Sequence, residues 1–281
     1  MNAYSSRATH DWSYSKVRFK ASHNSFERDE QPITSQLRWT KRTPSDRACR
    51  GLELDLHQSG RNWAWSIDHI APYSGAADRQ LSEYLVLLRS FSDEFADHDV
   101  ITVTLDLKDE ASDLESFPWG IDAYIGRHLG AEKLYKPAEL RGLADDLVSG
   151  AMINGWPTLG ELRGKFILCL SGNEATKAAY AGSGEGRLCF ADLKIDDPMK
   201  IPGTGAGTRV FLNFNMTVAI DWARTSRHFA RQRGFVTRGY GINDPAMWRK
   251  ATRAKLNILA TDKVCNHEWA GVGMLPFAKL P

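Results

Sequence analysis

Short apolar runs that alternate with amphipathic segments constrain the fold of this chain more than any other feature. Eight runs rich in leucine and β-branched residues predict strands, at residues 17–21, 51–56, 63–67, 100–107, 166–170, 210–214, 234–237 and 256–260. The run 188–190 leaves a ninth short strand open. Strands that alternate with helices over roughly 250 residues are typical of a (β/α)8 barrel of the TIM type, which is the predicted α/β fold.

The segments between the strands carry helix signals of unequal strength. Apolar residues recur at helical spacing from Arg79 to Phe95, and a second helix is predicted over 119–129, before Gly130. Asp244-Pro245 predicts another helix start, because aspartate caps a helix and proline is tolerated at its first position. The helix expected after the third predicted strand is poorly marked.

A doubly wound open sheet is the alternative fold, but no G-x-G-x-x-G follows the first strand.

Length and composition favour one domain, with residues 1–281 forming a single barrel whose core spans about 16–263. No stretch approaches the roughly 18 to 20 apolar residues of a membrane span. Residues 1–20 lack the apolar core of a secretory signal, which predicts a cytoplasmic protein, or a secreted one if a leader has been removed. The four widely spaced cysteines indicate neither a disulfide scaffold nor a zinc site, and fit a reducing compartment.

The charge of the chain is unevenly distributed although its net value is only +2. Between Ile220 and Leu256 there are nine lysines and arginines against two acids. Such a stretch either attracts an anionic substrate or lipid surface, or simply forms solvated helix faces. No nucleic-acid partner is indicated, and a monomer is expected.

Polar side chains lie at the ends of the first four predicted strands. The motifs are Ser22-His23-Asn24-Ser25, Glu53-Leu54-Asp55, Asp68-His69 and Asp106-Leu107-Lys108-Asp109. In a barrel of this type, the C-terminal ends of the strands carry the reactive groups. Glu53 and Asp55 are two residues apart and therefore share one face of their strand. Two inward carboxylates repel each other unless a positive charge lies between them.

A divalent cation would supply that positive charge. Asn24 and Asp106 would add an amide oxygen and a third carboxylate, and an all-oxygen shell suits Ca²⁺ or Mg²⁺ better than zinc or copper. The histidines are then available for acid–base chemistry. Each motif alone is a weak signal, because charged residues at strand ends are usually just solvated. Four of them at successive strand ends predict one shared site.

These residues resemble the catalytic half of the phosphoinositide-specific phospholipase C family, and most closely its small, calcium-dependent, single-domain microbial branch. The resemblance rests on Ala21–Phe26, Arg50–Asp55, His69 and Thr102–Asp109, continues in Trp156–Lys165, and reaches Phe235–Thr261. It implies a distorted barrel, a catalytic cation and cleavage of a phosphodiester on the glycerol side of the phosphate. The leading substrate is phosphatidylinositol.

The resemblance also implies roles for individual residues. His23 and His69 match the catalytic histidines, whereas the cation ligands match Asn24, Glu53, Asp55 and Asp106. Lys108 and Arg238 match positions near the phosphate or the alcohol head group. Asp106 stands where the eukaryotic family has glutamate, so the shorter side chain would hold the ion closer or through water.

The family chemistry needs a substrate hydroxyl next to the phosphate. A base removes the hydroxyl proton, the oxygen attacks phosphorus, and an acid protonates the leaving oxygen, which gives a cyclic phosphate. His69 is predicted to be the acid. His23 is either the base or a hydrogen-bond partner of a phosphoryl oxygen, in which case Glu53 or Asp106 takes the proton.

Two other functions stay open at this point. A glycerophosphodiesterase or sphingomyelinase D relative uses the same barrel, but typically begins with His-Arg-Gly, where this chain has Ser-His-Asn. That difference favours the phospholipase C type. A soluble phosphodiester stays open as the substrate beside a membrane phospholipid at an interface, because the small microbial relatives are commonly secreted and no leader is seen here. A non-catalytic barrel that binds lipid or phosphate is the third possibility, against which the complete set of six site residues argues.

Overall fold

Eight parallel strands close into a barrel in the computed structural model, which describes residues 9–27, 32–38, 49–59, 64–69, 80–184, 186–195, 207–217, 234–273 and 276–280. The barrel strands are β1 (Val17–Ser22), β2 (Gly51–Ser59), β4 (Ile101–Leu107), β5 (Phe166–Gly172), β6 (Phe190–Ile195), β7 (Phe211–Asn215), β8 (Val236–Tyr240) and β9 (Ile258–Thr261). Each pairs in parallel with its neighbours. The predicted single-domain TIM-type barrel is confirmed.

The barrel closes between β1 and β2 through one pair of residues, Ala21 opposite Gly51. A Cβ atom at position 51 would lie 2.5 Å from the Cβ of Ala21, so only glycine allows this close approach. Because the first strand pairs with both β2 and β9, the sheet has no open parallel edge. This closure excludes the doubly wound open sheet.

The predicted third barrel strand is wrong in its placement. β3 (Ala64–Ile67) pairs antiparallel with β2, from Leu56 opposite Ile67 to Ser59 opposite Ala64, and lies outside the barrel. The first predicted residue of this strand, Trp63, falls outside the described residues. An antiparallel return needs only a short loop, whereas a parallel one needs a crossover. The third helix is poorly marked because β2 and β3 form a hairpin instead of a βα unit.

β6 (Phe190–Ile195) instead completes the eight barrel strands, and it shares only Phe190 with the run 188–190 that was left open as a ninth strand. Its sequence, Phe-Ala-Asp-Leu-Lys-Ile, carries two charged residues, which obscures the strand pattern. Asp192 is nevertheless buried, because its Oδ1 atom lies 2.6 Å from Nζ of the fully buried Lys177. Such a paired charge can stand in a core where an isolated one cannot.

Helices cover the outer face of the barrel. They are α1 (Ile33–Leu37), α2 (Leu81–Glu94), α3 (Phe117–His128), α4 (Pro137–Arg141), α5 (Leu147–Ile153), α6 (Glu174–Gly182) and α7 (Pro245–Arg253). The predicted α2 and α3 are confirmed to within two residues at their ends. At the start of α7, Asp244 Oδ1 accepts a hydrogen bond of 2.8 Å from the Met247 amide, as the capping signal indicates.

Strand alternation divides β2 between two environments. Leu52, Leu54 and Leu56 point outward and pack with apolar residues of α2 and α3 in one cluster of buried side chains. Glu53 and Asp55 therefore point into the barrel, as predicted. Beyond the barrel, β10 (Phe277–Lys279) pairs antiparallel with β1. All four cysteines have free thiols, and within the described part of the chain no helix is long and apolar enough to cross a membrane.

The buried His98 makes the stability of the fold sensitive to acid. Its Nδ1 atom lies 2.7 Å from the Asp99 carbonyl oxygen, and burial lowers its pKa from 6.5 to about 4. The unfolded chain therefore takes up this proton at higher pH than the folded protein does. The stability conferred by neutral His98 is complete above about pH 6.5 and is lost as the pH falls through 4, by at most about 3 kcal/mol.

We expect a His98→Gln variant, which cannot take up the proton, to lose about 2 to 3 kcal/mol less stability than the wild type between pH 7 and pH 4.5. Urea unfolding at both pH values measures the difference. His267→Gln, in the C-terminal tail, is the matched control and should follow the wild type. Equal acid losses in His98→Gln and the wild type would contradict the prediction.

Candidate active site

The eight residues that the sequence singles out form one connected group at the C-terminal ends of the strands. They are His23, Asn24, Glu53, Asp55, His69, Asp106, Lys108 and Arg238. Four of them lie on or directly after β1 and β2, two lie on or directly after β4, and Arg238 lies on β8. His69 follows the hairpin strand β3 and reaches the group from outside the barrel. The sequence predicts these motifs at the ends of four successive barrel strands. In the structure, the motifs follow three barrel strands and one hairpin strand.

Three carboxylates form the centre of the group. Glu53, Asp55 and Asp106 each offer an oxygen, and these oxygens lie within 4.8 Å of one another. Burial, followed by the charge of Glu53, raises the pKa of Asp55 to about 6, although Lys108 opposes this rise. The Oδ1 atom of Asp55 is buried and makes no hydrogen bond to the described residues. An unsatisfied buried carboxylate oxygen is costly, and a divalent cation would satisfy it.

Lys108 lies within this acidic cluster. Its Nζ atom is 2.6 Å from Asp106 Oδ2 and 2.9 Å from Asp55 Oδ2. Burial alone would lower the pKa of Lys108, but the charges and hydrogen bonds of Asp106 and Asp55 outweigh it and raise the pKa. The same ammonium group, together with Arg238, lowers the pKa of Asp106 against the opposing effect of burial.

Arg238 holds the opposite side of the cluster. Its Nη2 atom is 2.8 Å from Glu53 Oε2, and Nη1 donates a hydrogen bond of 2.9 Å to Asn213 Oδ1 on β7. The guanidinium group also lies 5.4 Å from the centre of the Tyr240 ring. Arg238 is 5% exposed, so its charge is fixed in the barrel mouth.

His23 is oriented by a carboxylate at the end of the last barrel strand. Its Nδ1 atom is 2.9 Å from Asp262 Oδ1, and its ring stacks on Tyr240 with centroids 5.8 Å apart. The Nε2 atom faces Glu53 Oε2 across 3.8 Å. Burial lowers the pKa of His23, but the hydrogen bond to Asp262 and the charge of Glu53 outweigh it and raise the pKa.

His69 is more exposed than His23 and contacts the cluster through one ring nitrogen. Its Nδ1 atom is 2.8 Å from Asp55 Oδ2 and 3.3 Å from Asn24 Nδ2. The side chain is 45% exposed, so the other nitrogen is accessible from the mouth. Each histidine therefore has Nδ1 directed at a carboxylate, an arrangement that orients Nε2 for proton transfer.

The asparagine of the Ser-His-Asn motif adopts a strained backbone conformation. Asn24 has φ of +47°, in the left-handed region that asparagine tolerates better than most residues. The backbone N–H of Asn24 donates a 3.3 Å hydrogen bond to Glu53 Oε2. The backbone N–H of Glu53 in turn donates a 2.8 Å hydrogen bond to Ser25 Oγ. This turn therefore connects the end of β1 to the acidic strand β2.

The sequence analysis does not identify several residues that contact the site. Asp262 directly follows β9, so it obeys the same rule of polar residues at strand ends and could have been found by extending that rule to the last strand. Asn243 Nδ2 donates a 2.5 Å hydrogen bond to Asp262 Oδ2, and Asn213 supports Arg238. A single asparagine in a loop or strand gives no comparable signal.

Comparison with known proteins adds an independent observation. A family model described as "Phosphoinositide phospholipase C, Ca2+-dependent" matches residues 67–200, a range that contains His69, Asp106 and Lys108. The predicted resemblance to this family is confirmed. The match also confirms the prediction of a phosphoric diester-cleaving enzyme of the phospholipase C type. The family is described as Ca²⁺-dependent, and the three clustered carboxylates of this chain could hold a metal ion. Both observations confirm the predicted calcium cofactor.

Solved structures support the same barrel. A calcium-dependent phosphoinositol-specific phospholipase C from Pseudomonas sp., in an apo form, is 20% identical with a TM-score of 0.77, and the match covers 99% of each chain. A Ca²⁺-dependent phosphatidylinositol-specific phospholipase C from Streptomyces antibioticus is 18% identical with a TM-score of 0.68, covering 89% of this chain and 94% of that one.

A more distant structure is an Oleispira antarctica phosphodiesterase in complex with the product sn-glycerol-3-phosphate. It is 13% identical with a TM-score of 0.54, and the match covers 89% of this chain and 95% of that one. At these identities the structural matches establish the fold. No curated protein sequence matches this chain.

Proposed function

We propose that this protein cleaves a phosphodiester that carries a hydroxyl next to the phosphate, with phosphatidylinositol as its leading substrate. The reaction is intramolecular attack of that hydroxyl on phosphorus, and the first product is a cyclic phosphate. The observation that carries the proposal is the pair of histidines beside the three carboxylates. The Nδ1 atom of His23 contacts Asp262, and the Nδ1 atom of His69 contacts Asp55. A binding protein has no need of two oriented proton carriers beside a cation site.

Glu53, Asp55, Asp106 and Asn24 would hold the calcium ion. Bound calcium would lower the pKa of the attacking hydroxyl and neutralise charge on the phosphoryl oxygens. The fit rests on the unsatisfied Oδ1 atom of Asp55 and on the all-oxygen donor set. Arg238 adds a fixed positive charge next to Glu53, where it can bind the phosphate.

The two histidines move the proton at the two ends of the reaction. His23 takes the proton of the attacking hydroxyl at Nε2, and Asp262 stabilises the resulting imidazolium through Nδ1. His69, at the exposed rim of the site, gives a proton from Nε2 to the departing glycerol oxygen. Water then opens the cyclic product by the reverse proton transfers.

Phosphorus NMR of vesicles of phosphatidylinositol with calcium tests this function. We expect a cyclic inositol phosphate to appear before any inositol monophosphate. Phosphatidylcholine is the control, because choline has no hydroxyl to attack the phosphate, and it should not be cleaved. Linear product from the start, or equal turnover of phosphatidylcholine, would contradict the proposal. Soluble glycerophosphoinositol, offered in parallel, shows whether the enzyme needs a membrane interface.

The Asp262–His23 contact predicts a pH effect. Replacing Asp262 with asparagine removes the partner that raises the pKa of His23, so the acidic limb of the pH profile of kcat/KM should move to lower pH. Loss of orientation should also reduce kcat/KM by about 10- to 100-fold at pH 7. Asp93→Asn is the matched control, because Asp93 forms its ion pair with Lys133. An unshifted acidic limb would contradict the assigned contact.

A further inference from the structure

The ammonium group of Lys108 touches two of the residues that would bind calcium. It lies 2.6 Å from Asp106 Oδ2 and 2.9 Å from Asp55 Oδ2, and so bridges β4 and β2. An ammonium group is a compact point charge, and both contacts have the short distances of charge-assisted hydrogen bonds. A side chain that only reached outward to a substrate phosphate would not need to contact both carboxylates.

The charges of the cluster show what this contact does. Glu53, Asp55 and Asp106 carry three negative charges when ionised, and among the described lysines and arginines Lys108 and Arg238 contact them. Together these two side chains supply the charge of one divalent ion. The calcium-free cluster is thereby held together against carboxylate repulsion.

The two cations differ in their freedom to leave. Arg238 is 5% exposed, hydrogen-bonded to Asn213 and packed beside Tyr240. The side chain of Lys108 is 23% exposed and has a flexible four-carbon stem. Movement of Lys108 toward the solvent requires no repacking of the barrel, whereas movement of Arg238 does.

We infer that Lys108 is a displaceable counter-ion of the calcium site, which bridges Asp55 and Asp106 in the calcium-free protein and leaves them when calcium binds. This inference rests on the proposed function in so far as it takes these carboxylates as calcium ligands. It assigns Lys108 two effects. The lysine keeps the ligands in place without metal, and it weakens calcium binding because two ion pairs must break first.

The displacement also gives Lys108 a place in the substrate complex. Once its ammonium group has left the carboxylates, it stands at the rim of the same site. A phosphate or an anionic head group would then pair with the Lys108 ammonium group, which agrees with its predicted substrate-binding role. Calcium binding and substrate binding are thereby coupled through one side chain.

Calcium titration calorimetry of the full chain tests the inference in the wild type, in Lys108→Met and in Lys108→Arg. We expect Lys108→Met to bind calcium at least about 10-fold more tightly, since no ion pair has to break, and to melt several degrees lower without calcium. Lys108→Arg should bind calcium several-fold more weakly, because a guanidinium group can hold both carboxylates. Lys133→Met is the matched control, because Lys133 pairs at 2.6 Å with Asp93 outside the site.

High salt separates direct displacement from a general effect of charge. In 1 M KCl the Debye length is about 3 Å, so long-range repulsion of calcium by Lys108 is screened while partly buried contacts persist. The tighter binding of Lys108→Met should therefore remain in 1 M KCl. A gain that disappears there would overturn the inference, as would equal or weaker calcium binding by Lys108→Met.

Two further outcomes have defined meanings. If Lys108→Met does not fold, Lys108→Arg decides, and calcium binding equal to or tighter than that of the wild type overturns the inference. If the wild type binds no calcium at all, the proposed function fails and the inference fails with it. Calcium binding with equal affinity in all variants overturns the inference alone and leaves the proposed function standing.

Discussion

Replacing His69 with alanine is expected to reduce kcat/KM on phosphatidylinositol by about 10²- to 10⁴-fold, as is typical for loss of a general acid or base. The same range is expected for His23→Ala. The structure gives the reason, because both rings are held by carboxylates at the edge of the cation site. His128→Ala, on the outer helix α3, removes a histidine far from the site and should keep normal turnover.

The leaving group distinguishes the two histidines. A nitrophenyl ester of inositol phosphate releases a weakly basic phenolate that needs little protonation, so an acid contributes little to its cleavage. We expect the loss in His69→Ala to shrink to less than about 10-fold with this substrate, whereas the loss in His23→Ala persists. Near-normal turnover of either variant on phosphatidylinositol would exclude that histidine from catalysis. Equal losses on both substrates would exclude His69 as the acid.

Removal of calcium is expected to have a comparable or larger effect. A calcium chelator should reduce turnover by at least about 10³-fold, because the cluster then lacks the charge that stabilises the phosphoryl oxygens. Asp55→Asn should weaken calcium binding and reduce turnover at subsaturating calcium, since Asp55 lies fully buried at the centre of the carboxylates. Activity assays across a calcium titration measure both effects.

The same titration includes its own controls. Asp93→Asn changes a surface ion pair and should show the wild-type calcium response. Calcium at 100 times its dissociation constant should stabilise the folded wild type by about 2.7 kcal/mol, and less in Asp55→Asn. Full activity in the presence of chelator would rule out catalysis that depends on the ion. Restoration by Mg²⁺ to the calcium level would instead reassign the metal.

Most of this site can be predicted from polar residues at strand ends. That rule depends only on the period-2 alternation of strands and on the geometry of parallel barrels. It places Glu53 and Asp55 inward and brings Asp106 and His23 to them. It does not distinguish a hairpin strand from a barrel strand, because both have the same local pattern. That is why β3 is predicted inside the barrel and His69 at a barrel strand end.

Other features depend on contacts that are distant in the chain. β6 is hard to recognise because Asp192 is neutralised by Lys177, fifteen residues earlier. The strand-end rule could have identified Asp262, but its contact with His23 spans 239 positions and cannot be derived from local spacing. The position of Lys108 among the carboxylates is likewise set by three-dimensional charge balance. Spacing in the sequence predicts that Lys108 is near the site but not which group it touches.

The hairpin position of His69 has a consequence for how such enzymes diversify. His69, the proposed acid, follows β3, which pairs antiparallel with β2 outside the barrel, whereas His23 and the proposed cation ligands lie on or directly after barrel strands. Insertions or deletions near this hairpin can move the acid relative to the leaving group without disturbing the eight-stranded frame. Under the proposed mechanism, such changes would alter which alcohol departs while the proposed calcium ligands on the barrel stay in place.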